Sequence, residues 1–426
     1  MGDIEIFLNT LGTFDVLLWA TALGGCIAIV VNLYLRFGYK VSYFVFAGFI
    51  PPLIFTPFAL SLENAKVLDN EVLSFIWAKY KDALDLFSFS TLCFLLGYYL
   101  GSQLSGNTCF RLFDAVKIRL QRTTGSKAFI YGLLCVQTVI LCFLLTQGLE
   151  FGRGSSLGFE NTTLRPIIST WVSLNTVFVM SCFVDYVSFK GIWRGFLFII
   201  AVAFSFATGQ RGVSLLVLFQ LFLIYASAYN LRTIVIPVLM SAVLVPAALL
   251  VASFRGGNDI TQETINFEDM VSEFLYGNQF SDIRDFAWIL SGFDGNYLWG
   301  KTYFAGYTPF VPAFLSEFRQ QWGWGRWSTE VAGLDPLLHG GLRSGLFSEA
   351  YFNFGPVFMT ILAILFGLFL GRLTAWECQP ASPGNSFRER LYVGFATYVI
   401  MAISINIVFT PSFFESLIYT GILLLS

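Results

Sequence analysis

Apolar runs long enough to cross a bilayer fill most of this 426-residue chain. They lie at about 14–35, 41–60, 83–101, 128–147, 169–184, 192–208, 212–229, 233–253, 347–371, 391–409 and 412–426. Lipid offers no hydrogen-bonding partner, so a backbone that crosses it must satisfy its own N–H and C=O groups. Runs of this length do so as helices, and eleven of them predict an all-α polytopic membrane protein. The run at 169–184 is the weakest of the set, being short and holding Asn175 and Ser181. Composition agrees: 12% of residues are charged, about half the share of roughly 25% in soluble domains. The 48 Phe, 18 Tyr and 10 Trp suit lipid-facing walls and interfacial belts.

Loop charges predict the orientation. Arg36 and Lys40, Arg111, Lys117, Arg119, Arg122 and Lys127, Lys190 and Arg194, Arg232, and Arg372, Arg388 and Arg390 all fall in alternate loops. These loops hold thirteen of the 25 Lys and Arg, but only Asp114, Asp185, Glu377 and Glu389 of the 27 acids. The basic side is expected to be cytoplasmic, which puts the N-terminus outside. Residues 1–13 are acidic and lack a basic n-region, so no cleavable signal peptide is expected. The chain stops at Leu-Leu-Leu-Ser426, inside an apolar run, which fits a short last helix or a missing C-terminal piece. Of the seven cysteines none falls in a predicted outer loop, so no disulfide framework is expected.

Three parts follow from this layout: a first bundle over 1–253, a large outer loop over 254–346, and C-terminal spans over 347–426. A loop of that length is rarely structureless and often functional. Ile265, Phe267, Met270, Val271, Phe274 and Leu275 recur at near-helical spacing, which predicts an amphipathic helix on the bundle or the interface.

Polar chemistry concentrates at the outer face. His339 is the chain's one histidine. With an ordinary pKa of about 6.5 it can take a proton from a hydroxyl near neutral pH. Arg211 lies in a tight outer turn, Arg255 where a span emerges, and Arg343 just before the next span. Guanidinium groups at helix N-termini suit a bidentate grip on phosphate; snorkelling or pairing with outer carboxylates is the plainer use. Glu349 lies just inside a span, where an ionisable group calls for a function. It could orient His339, pair with Arg343 or Arg211, or act as the base itself. Tyr351 and Asn353 could contact substrate or only join helices. Trp322, Trp324 and Trp327 could form a platform for a sugar ring, although anchoring at the interface is commoner. Asp69 and Glu71 could hold a divalent ion, but a solvated acidic loop is the simpler account, and no metal or other cofactor is expected. No phosphate-binding glycine loop, hydrolase elbow or dinucleotide fingerprint is present. The basic loops contain few aromatics, so nucleic acid is not an expected partner.

The segment Glu349-Ala-Tyr351-Phe-Asn353-Phe-Gly355, entering a span after a large outer loop, resembles the corresponding part of bacterial oligosaccharide repeat-unit polymerases, the Wzy family. Thr208-Gly-Gln-Arg211-Gly at an outer turn resembles it too, as does the layout of many spans with one late periplasmic loop. The resemblance implies a GT-C-like inner-membrane glycosyltransferase that needs no metal. The implied partners are undecaprenyl-diphosphate-linked oligosaccharides, membrane lipid and, as a further option, a chain-length regulator protein. Arg211, Arg255 and Arg343 would hold the donor diphosphate, and His339 would deprotonate the acceptor hydroxyl, with Glu349 as the rival base. The related O-antigen ligases are the near alternative, with another acceptor. A lipid-linked oligosaccharide flippase or other transporter is the alternative of a different class.

Overall fold

The computed structural model describes residues 11–55, 70–104, 108–124, 126–149, 164–207, 211–229, 281–308, 311, 315–336, 341–379, 387–410 and 413–425. Among them every regular element is a helix. Six helices are long and apolar enough to cross a membrane.

The first part holds α1 (Thr13–Phe37), a 3-10 helix (Val41–Gly48), α2 (Ile50–Phe55) and α3 (Asn70–Gln103). It continues with α4 (Thr108–Thr124), α5 (Lys127–Thr146), α6 (Arg165–Phe189), α7 (Ile192–Ala207) and α8 (Arg211–Tyr229). The predicted span at 41–60 is split within its described part. Pro51 and Pro52 cannot donate backbone hydrogen bonds, so they fit only the first turn of the new helix that begins at Ile50. The expected short span at 169–184 is instead a 25-residue helix, α6. Its Asn175 donates to Ser205 Oγ on α7 at 2.7 Å, so the polar residue that weakened the expectation ties two helices together. The expected span at 233–253 and the amphipathic helix around 265–275 lie outside the described residues.

Among the described residues, the large loop supplies four short helices: α9 (Asp282–Gly292), α10 (Lys301–Tyr307), α11 (Glu317–Trp322) and α12 (Trp324–Val331). The last part is α13 (Ser348–Glu377), α14 (Phe387–Val408) and α15 (Phe413–Leu425).

Two glycine pairs position the centre of the bundle. Gly97 and Gly101 of α3 face Gly367 and Gly371 of α13. A Cβ at Gly97 would sit 2.1 Å from Ile364 O, and one at Gly101 would sit 2.1 Å from Leu368 O. In return, a Cβ at Gly367 would meet Phe94 O at 2.1 Å, and one at Gly371 would meet Tyr98 O at 2.2 Å. Rising numbers pair with rising numbers, so α3 and α13 run parallel with backbones in contact. This is the small-xxx-small packing of membrane helices. Neither pair stood out in the reading of the sequence, although each is a plain GxxxG.

Segments expected on the same side meet at the same end. Glu377, at the end of α13, accepts the Val41 N–H at 2.7 Å, the Ser42 N–H at 3.0 Å and the Ser227 hydroxyl at 3.2 Å. It thereby supplies acceptors for the buried N–H groups at the start of the 3-10 helix, which have no partner within the helix. Arg119 donates to Leu423 O at 3.0 Å, and Arg388 lies over the Phe189 ring. Thus α4, expected only as a basic loop, is a helix laid against this end of the bundle. At the opposite end Lys81 pairs with Asp15 at 3.1 Å, and the large loop joins α13 and α14.

Candidate functional site

The site is built on an interruption in α13. Pro356 has no N–H, so Phe352 O loses its helical donor. Gly355 takes φ 85° and ψ −178°, a conformation that L side chains rarely adopt. The freed carbonyls are taken by the large loop: the Leu298 N–H donates to Phe352 O at 3.0 Å, and the Trp299 N–H to Asn353 O at 2.9 Å. Any side chain at 355 would also press on the Tyr297 ring, 3.0 Å from its Cβ.

One turn before the interruption, Glu349 is fully buried. Its Oε1 accepts the hydroxyls of Thr302 at 2.9 Å and Thr410 at 2.8 Å, and its Oε2 accepts the Thr410 N–H at 2.8 Å. Asn353 donates to Thr302 Oγ1 at 2.6 Å and to Glu349 O at 2.8 Å. A carboxylate inside apolar helices is tolerated only with this many donors. Glu349 therefore joins three segments: the start of α13, α10 and the end of α14. Gly306 makes the joint tight, since a Cβ there would lie 2.2 Å from Thr410 Oγ1.

Arg343 lies in the chain leading into α13. Its backbone N–H donates to Asp285 Oδ2 at 3.1 Å, beside a 3.0 Å bond from the Ser281 hydroxyl. Arg284 pairs with Oδ1 of the same carboxylate at 3.4 Å. Burial raises the pKa of Asp285, against the pull of Arg284. Asp282, one turn before Asp285 on α9, is pushed from 3.8 to about 6 by burial and then by the Asp285 charge; the Arg343 guanidinium offsets part of this. A carboxyl whose pKa is raised on folding stabilises the fold while protonated. That contribution fades as pH climbs from about 4 through about 6. Asp282→Asn is therefore expected to flatten the fall in thermal midpoint between pH 4.5 and pH 7, as read by melting the purified protein at each pH. An unchanged slope would remove Asp282 as the titrating group.

The aromatic candidates divide. Trp324 and Trp327 are buried; both pack on Phe352, at 6.0 and 5.3 Å between ring centroids, and Trp324 also touches Phe409. Their rings form the floor of the loop and offer no open face to a sugar. Trp322 is half-buried, with the Lys301 ammonium 4.0 Å from its ring centroid. Tyr351 is half-buried among Phe286, Tyr297 and Phe352, and Asn353 is fully buried.

His339 and Arg255 lie outside the described residues. For Arg211 the backbone is described: it opens α8, whose far end places Ser227 on Glu377, so Arg211 starts at the large-loop end. Arg343, Glu349 and the start of α8 thus share one end of the bundle. Asp69 also falls outside, and Glu71 lies in the first turn of α3. Among the described residues no group of three His, Cys, Asp or Glu could hold a metal ion. Thr302, Thr410 and Asp282 escaped the sequence reading. For the two threonines the only signal was that a carboxylate such as Glu349 must find donors, which the sequence does not name; for Asp282 there was none. Comparison with protein-family models, curated proteins and solved structures finds no match.

Proposed function

We propose that this protein polymerises lipid-linked oligosaccharide repeat units by metal-independent, inverting glycosyl transfer at the periplasmic face of the bacterial inner membrane. The observation that carries the reading is the segment 349–355, which enters a helix of membrane-spanning length directly beneath the folded part of the large loop, with Arg343 just before it and Arg211 opening α8 at the same end. On this reading the chain crosses the membrane eleven times with its basic loops in the cytoplasm. Arg211, Arg255 and Arg343 hold the diphosphate of a glycan on undecaprenyl diphosphate and stabilise the charge that grows as it leaves. His339 takes the proton of the acceptor hydroxyl, whose oxygen attacks the anomeric carbon as the bond to diphosphate breaks. Glu349, with both oxygens engaged by threonines, suits the role of holding the loop on α13 better than that of a base.

The test is purified protein in liposomes, supplied with lipid-diphosphate oligosaccharide alone. A ladder of longer products is expected from the native protein. His339→Ala and Arg211→Ala are expected to reduce the ladder by about 100-fold or more, the scale of losing a general base or a charge stabiliser. Folding of both variants is checked by size-exclusion profile. A ladder of normal length in both, or none from the native protein, would sink the proposal.

A further inference from the structure

The large loop carries aromatic side chains that its own helices leave largely exposed, although Phe318 of α11 touches Phe304 at 5.4 Å between ring centroids. Trp299 is 77% exposed and Phe304 is 62% exposed. Trp299 holds φ +51°, outside the ordinary range for a bulky side chain, and its N–H is fastened to Asn353 O of α13. A strained tryptophan directed outward calls for a partner.

The position of this surface identifies the partner. The α10 helix is tied across the ends of two membrane helices: Tyr303 OH donates to Val408 O at 2.9 Å and Tyr307 OH to Ile407 O at 2.5 Å, both on α14 or its last turn. Beneath it, Phe354 of α13 stacks on Tyr303 at 6.2 Å and touches Phe358 at 4.5 Å. Phe358 borders the outward strip of α13, in which Val357 is 71%, Ile361 49% and Leu365 57% exposed. That strip belongs to a helix long and apolar enough to cross a membrane, where an exposed apolar face suits lipid. Through Phe354, α10 and the turn before it sit at the head of this apolar strip. The turn at 298–299 can sit at this depth because its N–H groups are already bonded to α13 carbonyls.

We infer that the turn at 299–300 and α10 are sunk in the interfacial layer of the bilayer around α13, with Trp299 and Phe304 facing lipid. The partner is the boundary between headgroups and acyl chains, where amphipathic aromatic rings settle. The large loop is then partly a membrane-lining element. This inference rests on packing alone and stands apart from the proposed chemistry.

A spin label on Phe304→Cys, in a protein whose Cys109, Cys135 and Cys142 are serine, reads the depth in liposomes. Accessibility to oxygen is expected to exceed that to a water-soluble nickel chelate, with a ratio several-fold above that of a label on Arg326→Cys. Arg326 is an exposed residue of α12 and serves as the aqueous reference. Greater access to nickel would overturn the inference by placing α10 in water. A label shielded from both reagents would overturn it by placing protein, such as a second copy, on the patch. If the labelled protein does not fold, Trp299→Phe in the native background gives an independent reading with lipids brominated near the headgroup. The variant is expected to lose part of the fluorescence quenching seen in the native protein, and equal fractional quenching would refute the inference.

Discussion

Gly97→Leu is expected to abolish recovery of a monodisperse protein from membranes, and Gly367→Leu to do the same. A Cβ at either position would stand 2.1 Å from a carbonyl oxygen of the facing helix, a distance at which the backbones must part. Flexible side chains can yield to an intruding methyl group, but two helical backbones in register cannot do so locally. Separating them gives up the aromatic contacts stacked along the same seam, among them Phe94 with Phe366 and Phe347. Overpacking a core costs about 1–3 kcal/mol for added methylenes, and leucine at a backbone contact belongs to the rare class above about 4–5 kcal/mol. Alanine should give an intermediate loss. Gly132 on α5 is the matched control: nothing lies within 4 Å of its Cβ, so Gly132→Leu should behave as the native protein. The yield of monodisperse protein reads every variant, thermal melts in detergent rank those recovered, and native yield with a native midpoint for Gly97→Leu would refute the seam.

Glu349→Ala is expected to be the next most damaging change. It strips the acceptor from the Thr302 hydroxyl, the Thr410 hydroxyl and the Thr410 N–H, all in a buried site. Each donor left unpaired costs about 1–3 kcal/mol, so the sum is a large part of the stability of a typical protein. Glu349→Gln keeps one acceptor oxygen and should fall between alanine and native. The pair also separates two roles for this residue. If Glu349 only holds the loop in place, the glutamine variant loses thermal stability and protease resistance of the loop but still elongates glycan. If it is the base, glutamine ends elongation while the melting point hardly moves, and that outcome would overturn the positioning role.

Apolar length carried most of the architecture, and the residues that organise it were harder to see. The helices near 14–35, 128–147 and 391–409 lie within a few residues of their predicted bounds, because each is one uninterrupted apolar run. Helix α3 begins at Asn70, well before position 83: the turns ahead of its apolar run carry Lys79, Lys81 and Asp82, where a hydropathy reading sees a loop. The helix α4 went unread for the same reason, since its basic face looked like a cytoplasmic connection. Glu349, Arg343 and the start of α8 were expected at one membrane level and are found at one end of the bundle. Glu349 gains its meaning from Thr302 and Thr410, on segments distant in the chain. Such pairings come from packing, which a single sequence does not spell out.

The two carboxylates of α13 differ in when their partners exist. Everything that Glu377 holds, at Val41, Ser42 and Ser227, has left the ribosome before α13 is made. Glu349 finds Thr302 already synthesised, but Thr410 follows 61 residues later. At a translation rate of about 5–20 residues per second, that is a wait of roughly 3–12 s. During it Glu349 lacks two of its three hydrogen bonds, and α14 has yet to cross and bring the threonine back. The basic end of this bundle can therefore set during synthesis, whereas the end with the large loop is locked only after the penultimate helix is inserted.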